Sequence, residues 1–149
     1  MAMPRVDFLG TGNAFSPHGR MHALALIDGN ILIDAPPTII TQLKRTGRSS
    51  GDIRHLLFTH WHGDHIFGFP FFLLERKYVT NRDSEVELNV YLRPGGRKIL
   101  HGLCETGFPG SLDSLDSMVS WNEEENGLIG DTGWELSLIH ISEPTRPTP

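Results

Sequence analysis

Hydrophobic and polar residues alternate near the start of the chain, and this pattern predicts β-structure. Residues 5–10 (RVDFLG) are hydrophobic at every second position, which is typical of a half-buried strand. Residues 23–35 (ALALIDGNILIDA) contain two β-rich runs around Asp28 and Gly29, which suit a tight turn with positive φ. We therefore expect a strand, a polar loop at residues 11–20 and a β-hairpin.

Helical periodicity then alternates with short hydrophobic runs. The predicted helices lie at residues 37–47, 69–79 and 95–107. The predicted strands lie at residues 53–60, 87–93 and 133–136. Residues 108–130 are expected to be irregular, acidic and weakly structured.

Strands that alternate with helices after a hairpin are typical of an α/β fold, a layered sheet with helices packed outside. Ligands usually bind at the strand ends along the edge of such a sheet. The hydrophobic run at residues 53–60 leads directly into a histidine-rich loop. We therefore expect this loop to lie at a strand end.

Composition limits the class of protein without identifying it. The 149 residues fit one ordinary domain, and 38% hydrophobic residues are typical of a globular chain. No apolar run reaches the length of a membrane span and the N-terminus lacks a signal-peptide core, so the cytoplasm is the expected compartment. The net charge of −5 does not favour broad attraction to nucleic acid. The single cysteine, Cys104, cannot form an internal disulfide.

The last residues are expected to lie outside the native domain. Residues 136–146 (LSLIHISEPTR) match, in order, the translation of a transposase-end sequencing adapter. We therefore divide the chain into a domain at 1–135, truncated at its C-terminus, and a non-native tail at 136–149. The alternative is a natural disordered tail rich in proline and threonine.

The chemistry of the chain is concentrated in the octapeptide FTHWHGDH. His60 and His62 are two residues apart, so in an extended segment both imidazoles point to one side and can bind one ion. Gly63 allows a sharp turn, after which Asp64 and His65 can serve a second ion. These nitrogen and oxygen donors suit zinc best, with manganese or iron as substitutes. An acid–base site without a metal is the rival interpretation.

This octapeptide closely resembles the H-x-H-x-D-H motif of the metallo-β-lactamase superfamily. FLGTGNAF resembles the first strand and loop of its ribonuclease Z-like branch, and ILIDAPP resembles the strand that ends in an aspartate beside the metal site. HGDHIFGFPFFLLERK and ELNVYLRPGGRKIL resemble the next helix and the next strand–helix unit. The resemblance covers residues 5–107 and is faint at 108–135. It implies the N-terminal half of an αββα sandwich.

The resemblance also implies a role for each matching residue. His60 and His62 would bind a first zinc ion, and Asp64 and His65 a second. Asp64 would also act as a catalytic residue near the attacking water. Asp34 would orient the site from outside the ligand shell. The alternative role for Asp34 is that of a turn aspartate that ends the hairpin.

Part of the superfamily's ligand set is not evident. The superfamily completes its two-metal site with a later histidine, a bridging aspartate and a final histidine. His101 falls on a predicted helix and Asp131 comes too early, so we expect the missing ligands beyond Glu135. Isolated histidines such as His55 and His101 are expected to have surface or core roles. Residues 10–12 are expected to shape the loop beside the site.

The resemblance implies that the intact parent hydrolyses a phosphodiester, in RNA or in a small molecule, with a metal-bound hydroxide. Hydrolysis of a carboxylic ester, thioester or lactam on the same site is the alternative among enzymes. The rival from another class is an inactive metal-binding fragment, which is the expectation for the 149 residues alone. The parent is expected to hold two zinc ions, and a homodimer is the assembly considered for it.

Overall fold

The computed structural model describes residues 3–80 and 86–137. The strands are β1 Val6–Gly10, β2 Leu24–Ile27, β3 Ile31–Ile33, β4 His55–Leu57, β5 Leu88–Leu92, β6 Val119–Glu123, β7 Asn126–Leu128 and β8 Glu135–Ser137. The helices are α1 Ile39–Arg45, α2 Gly63–Ile66, α3 Phe69–Glu75, α4 Gly96–Gly107 and α5 Leu115–Met118. Among the helices so described, none is long and apolar enough to cross a membrane.

Six strands form one mixed sheet in the order β1-β2-β3-β4-β5-β6. β1, β2 and β3 pair antiparallel, whereas β3, β4, β5 and β6 pair parallel. β7 and β8 form a separate antiparallel hairpin. The parallel strands are joined through helices, as the alternation of patterns along the chain predicts. The predicted layered α/β fold is confirmed.

The first face of the sheet carries the main hydrophobic core. α1, α3 and α4 contribute to it the buried side chains of Leu43, Phe72 and Leu100, which share one cluster with Leu56 and Val90 of the central strands. Burial of each such side chain contributes about 1.5–3 kcal/mol relative to exposure. This core fixes the positions of the strand ends.

The opposite face, which we call the second face, is only partly covered by the residues that the structure describes. Ile31, Leu57 and Tyr91 pack there against Ile129 and Leu136 of the segment that carries β7 and β8. Leu136 and its neighbour in β8 belong to the region that the sequence assigns to a non-native tail, so the boundary after residue 135 stays a prediction. Residues 138–149 lie outside the described part of the chain.

Local turn signals in the sequence are confirmed. Asp28 and Gly29 have φ values of 52° and 77° in the hairpin between β2 and β3. The helix predicted at residues 37–47 is α1, and the chain leaves it through Gly47 with a φ of 73°. Both turns follow from residues that tolerate positive φ.

The prediction that residues 108–130 are weakly structured is wrong. This region contains α5, β6 and β7, and β6 pairs with β5 along five residues. Val119 is buried and Trp121 packs against the main core, whereas Ser120 between them is exposed. This alternation was a valid strand signal. The acidic composition of the region led to the prediction of weak structure. The pairing of β6 with β5, and not the composition, determines the structure there.

Candidate metal-binding site

The candidate site lies where two neighbouring parallel strands end. β3 and β4 pair with Ile33 opposite Leu57, so their carboxyl ends meet at one edge of the sheet. Asp34 follows β3 directly, and the histidine segment follows β4 and enters α2 at Gly63. The predicted position of the histidine loop at a strand end is therefore confirmed.

Asp34 is a buried carboxylate, 4% exposed, that binds groups on both sides of the histidine segment. Its Oδ2 lies 2.7 Å from Nδ1 of His65 and accepts a hydrogen bond from Oγ1 of Thr59 at 2.8 Å. Its Oδ1 accepts a hydrogen bond from the backbone amide of Thr59 at 2.9 Å. The carboxylate is therefore held between the loop after β4 and α2.

The backbone of Asp34 adopts a conformation that few residues other than glycine adopt. Its φ is 71°, in the left-handed region. The turn is held in place because Ala35 donates a hydrogen bond to the carbonyl of His65 at 2.7 Å, and Gly68 donates one to the carbonyl of Ala35 at 2.9 Å. Strained backbone that the surroundings hold in this way clusters at functional sites. Asp34 thus ends the hairpin and also contacts His65 and Thr59, whereas its role toward a metal stays a prediction.

These hydrogen bonds assign the ring tautomers of two histidines. A carboxylate only accepts, so His65 carries a proton on Nδ1 and donates it to Asp34. Thr59 donates its one hydroxyl proton to Asp34, so its oxygen accepts a hydrogen bond from Nδ1 of His60, 3.0 Å away. Nε2 is therefore the nitrogen that each of these two rings presents to a ligand.

The four predicted donors are close neighbours. The ring centroid of His60 lies 3.9 Å from that of His65 and 4.7 Å from that of His62. Asp64, in the first turn of α2, places Oδ2 at 3.2 Å from Nε2 of His65. The structure thus brings all four predicted donors together at the start of α2.

The two histidines linked to Asp34 have pKa shifts in opposite directions. The hydrogen bond to Asp34 raises the pKa of His65 above its ordinary value, although burial opposes the shift. Burial lowers the pKa of His60, and the neighbouring His65 lowers it further. His60 is therefore biased toward the neutral imidazole that binds metals, whereas His65 favours a second proton between Asp34 and Asp64.

The chemistry of this donor set fits a divalent metal ion. Imidazole nitrogen and carboxylate oxygen are zinc ligands, and Asp34 supplies the outer hydrogen bond that metal-binding histidines usually have. Nε2 of His65 and Oδ2 of Asp64 lie 3.2 Å apart, so a cation could interact with both atoms. Within residues 3–80 and 86–137, no three His, Cys, Asp or Glu side chains are arranged to hold one ion. The residue types and their support thus fit a metal, whereas the described side chains do not form a closed cage.

Two supporting residues were missed by the sequence interpretation. Thr59 connects Asp34 to His60, and its place directly before the first histidine of the motif was the available signal. Gln42 is buried on α1, and its Nε2 donates a hydrogen bond to the carbonyl of His22 at 2.8 Å. A polar residue on the apolar side of a predicted helix was the signal for Gln42.

The isolated histidines and the cysteine have partners or surroundings outside the cluster, as expected. His55 is buried, with Nδ1 at 3.1 Å from the hydroxyl of Tyr91. His101 lies on α4, with Nε2 at 2.9 Å from Oδ1 of Asp116. Burial raises the pKa of the Cys104 thiol to about 12, so the protonated thiol is favoured at neutral pH.

A cleft of about 480 Å³ opens beside the cluster. The loop after β1 folds back so that Gly12 donates a hydrogen bond to the carbonyl of Met21 at 2.7 Å. A Cβ atom at Gly10 would lie 2.1 Å from the carbonyl oxygen of His22, so this close approach requires glycine. The cleft is lined by Ala14, His22, Pro37, His62, Gly63, Asp64 and Phe67.

Known proteins resemble most of the chain. The family model of anti-Pycsar protein Apyc1 matches residues 4–115. The anti-Pycsar protein Apyc1 of Paenibacillus sp. strain J14 is 35% identical over 147 residues, which are 97% of this chain and 54% of that protein. Ribonuclease Z of Haloferax volcanii is 35% identical over 106 residues, which are 69% of this chain and 32% of that protein.

The fold also matches a solved structure. The metallo-β-lactamase fold protein YhfI of Bacillus subtilis superposes with a TM-score of 0.65 at 13% identity, covering 85% of this chain and 50% of that one. This likeness concerns the fold alone. The chain spans 32% of the Haloferax ribonuclease Z and about half of the Paenibacillus protein.

Proposed function

The chain belongs to the family of anti-Pycsar protein Apyc1, within the metallo-β-lactamase fold, and from this membership we propose that the whole protein is a metal-dependent phosphodiester hydrolase. The resemblance to the ribonuclease Z-like branch is confirmed by relatives of that name. The observation that carries the proposal is the network in which Asp34 sets the proton positions of His60 and His65. This network presents Nε2 of both rings to a cation.

Each residue of the cluster has a proposed role. His60 and His62 hold one metal ion, and Asp64 and His65 hold a second. Asp34 fixes the two ring tautomers from outside the ligand shell. Bound divalent metal ions, zinc before manganese or iron, supply Lewis acidity at neutral pH and neutralise charge on the attacked phosphate. The carboxylate of Asp64, beside the cleft, orients the attacking water.

The proposed substrate is a phosphodiester in RNA or in a small molecule. Relatives named ribonuclease Z favour a phosphodiester over a carboxylic ester, thioester or lactam. The net charge of −5 does not itself favour a long polyanion. A small phosphodiester therefore remains as strong a candidate as RNA.

The proposal of catalysis concerns a protein of full family length. The chain spans 54% of the Paenibacillus relative, and its four clustered donors are fewer than those of the superfamily's two-metal site. For the 149 residues alone we propose weak zinc binding without turnover. In the intact protein we propose two further histidines and an aspartate beyond Glu135.

The test pairs the 149-residue chain with a full-length protein that contains it. Both are supplied with zinc, manganese or iron and assayed on bis(p-nitrophenyl) phosphate and on p-nitrophenyl acetate. Zinc affinity is measured by competition with a chromophoric chelator. We expect the full-length protein to prefer the phosphodiester, and the shorter chain to bind zinc without turnover.

Two outcomes would overturn the proposal. A full-length protein that is inactive on both phosphodiester and RNA substrates with every metal would defeat the assigned activity. A 149-residue chain that binds two zinc ions stoichiometrically and turns over strongly would show that its four donors already form a complete site.

A further inference from the structure

We propose that a second cleft, at the end of the sheet opposite the histidine cluster, binds a small aromatic carboxylate. Arg48 binds the carboxylate group, and Trp134 packs against the ring. The cleft has a volume of about 760 Å³, which lies within the range of small-ligand sites. Its lining includes the turn at Asp28 and Gly29, which precedes β3, whereas Asp34 follows β3. This cleft and the candidate metal-binding site therefore lie at opposite ends of one strand.

Arg48 brings a positive charge into this cleft. Its backbone amide donates a hydrogen bond to the carbonyl of Leu43 at 2.9 Å, which fixes the backbone of Arg48 just after α1. Its guanidinium lies against Gly29, where an added Cβ would lie 2.7 Å from Nη1, so the glycine makes room for it. Among the described residues, the guanidinium has no hydrogen-bond or ion-pair partner. A half-buried guanidinium without such a partner favours an anionic ligand, and its planar fork matches a carboxylate.

The acidic residue of the described lining, Asp28, already has partners for both oxygens. Oδ1 accepts a hydrogen bond from the backbone amide of Arg5, and Oδ2 accepts one from Nε1 of Trp134, each at 2.8 Å. Arg5 and Arg48 outnumber Asp28, so the described lining carries one net positive charge on a chain whose net charge is −5. A single positive charge matches a carboxylate better than a doubly charged phosphate.

The indole of Trp134 supplies an aromatic wall. The ring is held by its hydrogen bond to Asp28, and the backbone amide of Trp134 donates a hydrogen bond to Oγ1 of Thr132 at 3.1 Å. Because both the ring and the backbone are held, the indole is a rigid surface against which a flat aromatic group can pack. Met3 and Pro4 add apolar surface to the same cleft. The lining thus suits a ligand that combines a ring with one negative charge.

The test compares ligands that differ in one feature at a time. At neutral pH, 1-naphthylacetate carries a ring and a carboxylate, 1-naphthylacetamide has the ring without the charge, and acetate has the charge without the ring. Binding to the 149-residue chain without added metal is followed by NMR, which reports the dissociation constant and the Nε1 resonance of Trp134. We expect 1-naphthylacetate to bind about tenfold more tightly than either comparison ligand and to shift that resonance. Its advantage over the amide should shrink as the salt concentration rises.

Matched variants locate the binding. Arg48→Gln removes the charge, so the preference for 1-naphthylacetate over its amide should fall below about twofold. Arg45→Gln makes the same change at an exposed residue of α1 outside the cleft lining and should keep the preference. Arg48→Lys keeps the charge but loses the planar fork, so an intermediate preference is expected. Trp134→Leu should weaken the binding of both naphthyl ligands about equally, and the loss of its indole resonance identifies the Nε1 signal.

Three outcomes would overturn the carboxylate site. They are equal binding of the acid and the amide, an unchanged preference in Arg48→Gln, and binding of 1-naphthylacetate that leaves the Trp134 resonance in place. Amide spectra of each variant verify that the chain remains folded, and if Arg48→Gln unfolds, Arg48→Lys and the ligand comparison still decide. None of these outcomes depends on whether the full-length protein hydrolyses phosphodiesters.

Discussion

A single carboxylate sets the proton positions on two histidines of the candidate site. Asp34 bonds His65 directly and His60 through Thr59. The position of Asp34 beside the site could be predicted, because the resemblance marks the residue that ends its strand. The role of Thr59 could not be predicted from the sequence. Its hydroxyl contacts the carboxylate of Asp34, which is 25 residues away in sequence, only because β3 and β4 pair.

Replacing Asp34 by asparagine should weaken zinc binding about 10- to 100-fold. The amide keeps the shape of the side chain but loses the charge that holds the Nδ1 proton of His65. Competition with a chromophoric chelator measures the change. Asp113→Asn removes the same charge at an exposed residue and should leave the affinity within about twofold. Wild-type affinity in Asp34→Asn would contradict the orienting role.

Replacing His62 by alanine should abolish hydrolysis by the full-length protein, because it removes a proposed ligand. His55→Ala should leave hydrolysis largely intact and lower the free energy of unfolding by about 1–3 kcal/mol, since the Tyr91 hydroxyl loses its hydrogen bond with the buried His55 ring. Steady-state rates and urea unfolding measure the two effects. Equal losses of activity in the two variants would rule out the ligand assignment.

At the scale of elements, local patterns predict most of the fold because hydrophobic period and turn residues act over short distances. The helix predicted at residues 69–79 includes a feature that local patterns do not predict. α3 ends at Glu75, and a π-helical turn, Arg76–Thr80, follows it. There Arg76 turns inward and its guanidinium binds the carbonyls of Ser50, Ile53, Val86 and Glu87. No local pattern encodes these partners, since they lie on two distant loops.

Arg76→Met should lower the free energy of unfolding by about 3 kcal/mol, because each buried carbonyl left without a donor costs about 1–3 kcal/mol. Burial lowers the pKa of Arg76 to about 10, so the guanidinium stays charged at neutral pH and the hydrogen bonds are charge-assisted. Arg45→Met makes the same change at an exposed residue of α1 and should cost less than about 0.5 kcal/mol. Urea unfolding followed by circular dichroism compares them. Equal stabilities of the two variants would show that Arg76 is not a structural clamp.

The carboxylate of Asp116 links α4 to β6, and its contribution to the stability of the fold depends on pH. Burial raises the pKa of Asp116, but hydrogen bonds from Arg97, His101 and Trp121 together hold it below its ordinary value of 3.8. A lowered folded-state pKa means that this stabilisation is complete above pH 3.8 and is lost as pH falls below it. Asp116→Asn should therefore be less stable than the parent chain at pH 7, by at most about 1 kcal/mol because the site is exposed.

The free energies of unfolding of Asp116→Asn and of the unsubstituted chain, measured at pH 7 and at pH 3, check this prediction. The difference between them should be smaller at pH 3, because the stabilisation declines as pH falls below 3.8. Asp113→Asn, which alters an exposed aspartate without these partners, should show no such pH-dependent difference. If the stability difference between Asp116→Asn and the unsubstituted chain instead grows toward pH 3, the stabilising role of the Asp116 carboxylate is rejected.

At the scale of the molecule, the two faces of the sheet are unequal. The first face is closed by three helices, whereas the second face is covered in its centre by Ile129 and Leu136. Residue alternation predicts which side chains each strand sends to each face. It does not predict that the β7–β8 segment lies over Tyr91, because that contact joins segments far apart in sequence. Residues that pair from strand to strand form a row across the sheet, and the row that contains Tyr91 and Leu57 ends at Phe8 on edge strand β1.

The exposed apolar residues at the β1 edge of the second face should make the 149-residue chain self-associate. Phe8 is 73% exposed on edge strand β1, beside Val6 at 45%, and an apolar edge is prone to pair with another copy. Sedimentation should detect concentration-dependent oligomers, and Val6→Thr with Phe8→Thr should shift them toward monomer while keeping β-propensity. Phe15→Thr removes a more exposed phenylalanine from a loop outside the sheet and should change little. The opposite outcome is that the unsubstituted 149-residue chain is a monomer at all concentrations and unfolds cooperatively. The second face would then need no further partner, and the expectation that residues 1–135 are part of a larger sandwich would lose its physical support.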